Sequence, residues 1–277
     1  MTASHPRPHA HARPAFSWLR VRTVVRRHGY VLWRSPHRWF EIVVFPIVDV
    51  LLFGSLGAFV AQENDLSRAS APYLLAGIML FHFLFQSQIA LSTGFMEETW
   101  TRNLLNVMTT PLREVEYVAG LVVYGLAKLV AAIAMISGAA YLLYRFGLGS
   151  MGWGLLPIAA ILLVLGWALA LLMIGLLLRY GQSAEILVWA STFLILAISG
   201  VFNPVDAIPG PLQPVAHALP TTHAFTAARR LLDGQSMPWG EIGVAAAGTI
   251  VALVASMGFV THMLARFRQR GYITRYS

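Results

Sequence analysis

The chain has 277 residues, 57% hydrophobic and 12% charged, with a mean hydropathy of +0.65. Soluble domains carry about 25% charged residues, so this composition excludes an ordinary soluble protein and indicates one embedded in a membrane. The net charge of +8 does not point to a nucleic-acid partner. Eight arginines (Arg7, Arg13, Arg20, Arg22, Arg26, Arg27, Arg34 and Arg38) precede residue 39, just ahead of the first apolar run, where the positive-inside rule places them.

Residues 1–15 are rich in Pro, His, Ala and Arg and read as a disordered cytoplasmic tail, with His5, His9 and His11 solvated rather than metal-bound. Residues 16–38 alternate Trp18, Val21, Val25 and Leu32 with arginines, the pattern of an amphipathic helix lying in the headgroup layer and stopped by Pro36. Six segments then approach the ~20 apolar residues needed to cross a bilayer: roughly 39–60, 72–95, 115–144, 154–178, 184–203 and 241–264. The predicted fold is all-α and integral to the membrane, with six transmembrane helices over 39–264 and both termini cytoplasmic. The tail at 265–277 carries Arg266, Arg268, Arg270 and Arg275, which places it on the same side as the N-terminus. The first apolar run starts too far from Met1 for a signal peptide.

Two connections break the simple alternation. Between the second and third spans, "MEETWTRNLLNVMTTPLREVEY" predicts a short amphipathic helix at 97–108. Trp100, Leu104 and Val107 or Met108 recur at helical spacing, Glu97 and Glu98 favour a helix start, and Pro111 enforces a stop. Between the fifth and sixth spans, residues 204–232 are too apolar for an open loop and too proline-rich for a span, which predicts a re-entrant helical hairpin.

Chemical motifs are scarce. The sole lysine, Lys128, lies in an apolar stretch with no glycine-rich loop before it, so the chain has no phosphate-binding Walker A loop. No catalytic residue and no cysteine-based metal site is predicted, since cysteine is absent. Within the spans, ionisable residues are functional candidates by default. Asp49 and Lys128 lie at similar depths, ~15 and ~20 Å along their helices from the same side, and either pair with each other or each face a polar cavity alone. "LFHFLFQSQ" places Phe81, His82, Phe85 and Gln86 on the second span, either as packing with interhelical hydrogen bonds or, with Asp49, along a substrate path. His217 and His223 read as turn and interface residues of the hairpin.

The order of these elements, with the blocks "MEETWTRNLLNVMTTPLREVEYVAG" and "SGVFNPVDAIPGPLQPVAHALPTTHAFTAARRLLDGQ", resembles the membrane subunit of type-2 ABC exporters, especially the drug and lipo-oligosaccharide branch. The resemblance implies a coupling helix at 97–108 that seats in an ATPase subunit through Glu97, Glu98, Trp100, Arg102, Leu104 and Leu105. It implies an outer gate at the hairpin involving Phe202, Pro204, Pro220 and His223. It also implies a dimer in the bacterial cytoplasmic membrane, of two copies or of this chain with a relative, served by two ATPase subunits that hold the ATP and Mg. The expected activity is export of an amphiphile, a drug, a lipid or a lipid-linked glycan. The rival expectation is an ion-coupled secondary transporter using Asp49, Lys128 and His82.

Overall fold

A computed structural model describes residues 16–63, 70–100 and 110–269, and the elements among them are helical. Helix α1 spans Trp18–Arg34 and buries Val21, Val24 and His28, a stripe spaced three and four residues apart. That stripe lies on α5 (Glu114–Tyr144) at Gly120, where an added Cβ would fall 2.6 Å from the Cβ of Val24. Glycine here lets two helices approach more closely than any side chain permits. Trp18, Leu19, Tyr30 and Trp33 remain exposed on the other faces. The helix ends at Arg34 because Ser35 turns extended before Pro36.

A four-residue turn, α2 (Pro36–Trp39), and a π-turn over Phe40–Val44 lead into α3 (Phe45–Glu63). Next come α4 (Ser70–Trp100), α5, and α6 (Leu155–Tyr180), the last preceded by a tight 3₁₀ stretch over Leu148–Gly154. The chain closes with α7 (Glu185–Ile198), α8 (Gln213–Ala218), α9 (Pro220–Leu232) and α10 (Trp239–Gln269). Five of these stretches are long and apolar enough to cross a membrane: Ile42–Val60, Pro72–Glu97, Val115–Tyr144, Leu148–Tyr180 and Trp239–Arg266.

The fifth expected span, 184–203, folds differently from the rest. Its helix α7 has 14 residues, about 21 Å at 1.5 Å per residue, against a hydrocarbon core of ~30 Å. Positive φ angles at Gly181 and Gly200 pin its two ends. Ala184, just before α7, packs in a cluster with Met96 and Leu177, whereas Val201, just after it, lies against Gly77. Met96 and Gly77 are 19 positions apart on α4, about 29 Å.

Helix α4 is the centre of the bundle, with Leu75, Met79, Leu80 and Leu84 fully buried. It packs closely on α6 at Gly166, whose Cβ would lie 2.5 Å from the carbonyl oxygen of Leu84. The proline-rich region forms two short helices, α8 and α9, as its composition predicts. Helix α9 buries Thr221, Thr222, Ala224, Phe225, Ala227 and Ala228 in the core, and its Pro220 sits against Gly248 of α10.

Candidate functional site

Polar chemistry concentrates at the two ends of the bundle and in one layer between them. At the α1 end, the last turn of α4 carries Glu97. Its carboxylate binds the Arg38 guanidinium at 2.5 Å, with the His28 ring 3.7 Å away, and both charged side chains are mostly buried. The expected helix start at 97 is therefore the tail of a helix that began at Ser70. Glu98 and Trp100 occupy the same turn, their side chains undescribed; Arg102, Leu104, Leu105 and the rest of the segment to residue 109 lie outside the described residues.

Across that segment, Glu116 in the first turn of α5 is fully buried and accepts hydrogen bonds from four donors. These are Arg20 Nε (2.7 Å), Arg20 Nη2 (2.6 Å) and the backbone N–H groups of Ser17 (2.7 Å) and Arg113 (2.9 Å). The carboxylate raises the pKa of Arg20 by accepting its hydrogen bonds. Helix α1 and the turn after it are thus tied to both helices that flank residues 101–109.

In the middle layer, His82 Nε2 lies 3.0 Å from Asp49 Oδ2, joining α4 to α3. Asp49, for which Lys128 is one expected partner, takes His82 in this contact; Lys128 is buried on α5. Phe81 stacks on Phe85 at 6.1 Å and His82 meets Phe85 edge-on at 5.9 Å. Phe81, His82 and Gln86 face the interior of the bundle, while Asp49 keeps about a third of its side chain exposed. Further along α4, the Gln88 amide donates to Ser191 Oγ (3.2 Å) and accepts from Thr192 Oγ1 (2.9 Å), fastening α7 to the core.

At the hairpin end, Ser199 and Thr221 share a 2.5 Å hydroxyl contact. Phe202 stacks on Phe53 with ring centroids 4.2 Å apart. Pro204 is exposed, and Pro220 opens α9. His223 bridges two acceptors, the Glu241 carboxylate at 2.7 Å and the His217 carbonyl at 3.0 Å, and Glu241 also binds Arg230 at 3.1 Å. Arg229 donates to the carbonyls of Gly200 and Asn203, closing the break after α7. It faces a cavity of about 590 Å³ between α3, the start of α4 and α9.

Glu97, His82, Asp49, Phe202, Pro220 and His223, candidates from the sequence, each make a specific contact. Arg20, Arg38, Glu116, Arg229 and Glu241 become candidates only in the fold. Glu116 carried a local signal, an acid three residues past Arg113 in a first helical turn. Arg20 carried none, because its partner is 96 positions away.

A family model described as the ABC-2 type transporter matches residues 20–232. No curated protein matches the chain.

Proposed function

The chain belongs to the ABC-2 type transporter family, and from that premise we propose that it is the membrane half of an ATP-driven exporter of amphiphiles. Membership makes it a multi-pass transporter permease that pairs with an ABC ATPase. Two copies of this chain would enclose the path, and two ATPase subunits holding ATP and Mg would grip the segment between α4 and α5. The observation that carries this reading is the double attachment of α1 and α2 around that segment, Arg38–Glu97 on one side and Arg20–Glu116 on the other. A push delivered at 101–109 reaches three helices at once. Glu98, Trp100, Arg102, Leu104 and Leu105 are the proposed docking residues, with Glu97 holding the end of α4 in place.

The topology proposed is six crossings with both termini cytoplasmic, α1 in the headgroup layer and the 204–232 hairpin dipping into the outer leaflet. The contacts of α7 support the sixth crossing. Eighteen residues, from Ala184, which shares a cluster with Met96, to Val201 beside Gly77, cover a depth of about 29 Å along α4. The bacterial inner membrane is the proposed location. The exposed face of α3, with Phe45, Val48, Leu52 and Phe59, is the proposed meeting surface of the two copies.

Co-purification of the ATPase subunit tests the reading. Trp100→Ala and Glu98→Arg are expected to reduce capture of the ATPase while leaving the permease folded. Full capture in both variants refutes the docking assignment. One observation favours a second reading, ion-coupled transport: the Asp49–His82 contact inside the bundle. Proton-driven uptake by liposomes containing this chain alone would establish it, and its absence would exclude it.

A further inference from the structure

The cavity at the hairpin end joins apolar walls to one partly buried cation. Phe53, Leu56 and Val60 of α3 form one side, and Leu74 and Phe202 form another. Leu56 is half-exposed, so the wall continues onto the outer surface of α3. A volume of about 590 Å³ falls within the roughly 300–1,000 Å³ of small-molecule sites.

Arg229 supplies the polar end. Its hydrogen-bond partners are neutral: the carbonyls of Gly200 and Asn203 and the hydroxyl of Thr226. Asp233, one turn further on, is the nearby carboxylate, but it is exposed and held by the Tyr73 hydroxyl. Burial lowers the pKa of Arg229 from the usual arginine value, yet a guanidinium stays charged at neutral pH. A partly desolvated cation with only neutral partners favours an anion. The planar guanidinium fork suits a phosphate or a carboxylate.

The geometry points to this cavity as a binding site for an amphiphile with an anionic headgroup, its phosphate or carboxylate on Arg229 and its chain along Phe53, Leu56 and Val60. Lipid and exported cargo share this chemistry. The site itself stands apart from the exporter reading, and only the identification of its occupant as cargo rests on that reading.

Native mass spectrometry of the full chain, purified in a maltoside detergent, tests the site with three probes. Dioctanoyl phosphatidic acid carries head and tails, dioctanoylglycerol the tails alone, and inorganic phosphate the head alone. Phosphatidic acid is expected to bind about tenfold more tightly than dioctanoylglycerol, the worth of one charge-assisted hydrogen bond, and more tightly than inorganic phosphate by the burial of its chains. Arg229→Gln removes that preference and leaves dioctanoylglycerol binding unchanged. Leu56→Trp fills the cavity from α3 without touching Arg229 and weakens phosphatidic acid binding by a similar factor.

Equal binding of phosphatidic acid and dioctanoylglycerol overturns the anionic headgroup, and equal binding of inorganic phosphate overturns the apolar seat. If Arg229→Gln fails to fold because its carbonyl contacts are lost, Leu56→Trp decides. Undiminished phosphatidic acid binding in that variant overturns the proposal. Because binding is read on the permease alone, failure here leaves ATPase capture untouched, and failed capture leaves this site intact.

Discussion

The contact between Arg38 and Glu97 yields the sharpest quantitative expectation. The two side chains are 14% and 17% exposed and meet at 2.5 Å, so solvent screens them little. Removing one charge leaves the other buried and unpaired, which costs about 3–5 kcal/mol in such settings. The site lies at one end of the bundle and partial rehydration offsets some of this, so the lower figure applies. About 3 kcal/mol corresponds to a factor of about 100 in the equilibrium between attached and detached states. Val21 and Val24 against Gly120, and Arg20 on Glu116, still hold the first half of α1, so Glu97→Gln is expected to loosen α1 and α2 locally without unfolding the bundle. Hydrogen–deuterium exchange on the protein in nanodiscs reads this directly. Amides of residues 28–39 should exchange on the order of 100-fold faster in Glu97→Gln, and the swap Arg38→Glu with Glu97→Arg should restore most of the protection. Unchanged exchange accompanied by lost ATPase capture would refute the reasoning, since Glu97 would then contact the partner and not α2.

Three further outcomes follow from other contacts. Gly166→Val places a branched side chain where even a Cβ lies 2.5 Å from a backbone oxygen of α4; a loss of about 1–3 kcal/mol should appear as a lower unfolding temperature in detergent, and an unchanged temperature would contradict the close α4–α6 packing. His223→Ala removes the bridge from α9 to Glu241 and the His217 carbonyl, worth about 1.5 kcal/mol for a hydrogen bond to a charged group, and limited proteolysis within 204–238 should accelerate. Gln88→Leu unfastens α7 from α4; a cost of about 0.6–1.7 kcal/mol should be visible by thermal unfolding, while additivity with Thr192→Val would deny their hydrogen bond.

Helices were legible in the sequence wherever the signal was local. Hydropathy over 20 residues located the five long spans, and proline spacing located α8 and α9, because both are properties of consecutive residues. The length of α7 was not legible. Its apolar run continues through Ser199 and Val201, but Gly200 adopts φ +65° and ends the helix. Hydropathy does not register a glycine that changes the handedness of the backbone.

Glu97 shows how a correct local principle can be applied at the wrong helix end. Acids favour the first turn of a helix, where the dipole is positive, and on that ground Glu97 looked like the beginning of a new element. The chain instead carries α4 through position 97 unbroken from Ser70, so no fresh N-terminus exists there to stabilise the carboxylate. Its stabilisation comes from Arg38, 59 positions earlier in the chain. Glu116, which the sequence places at the start of the third span, does occupy a first turn and accepts the Arg113 amide as that position favours. Two acids of similar local appearance are therefore both fixed by a distant arginine, Glu116 with the Arg113 amide of its own helix start in addition. Both depend on an arginine from the N-terminal region, Arg20 or Arg38. The basic segment that the composition assigned to the membrane surface thus also neutralises the two carboxylates flanking residues 101–109. A change that loosens that segment is expected to move the ends of α4 and α5 together.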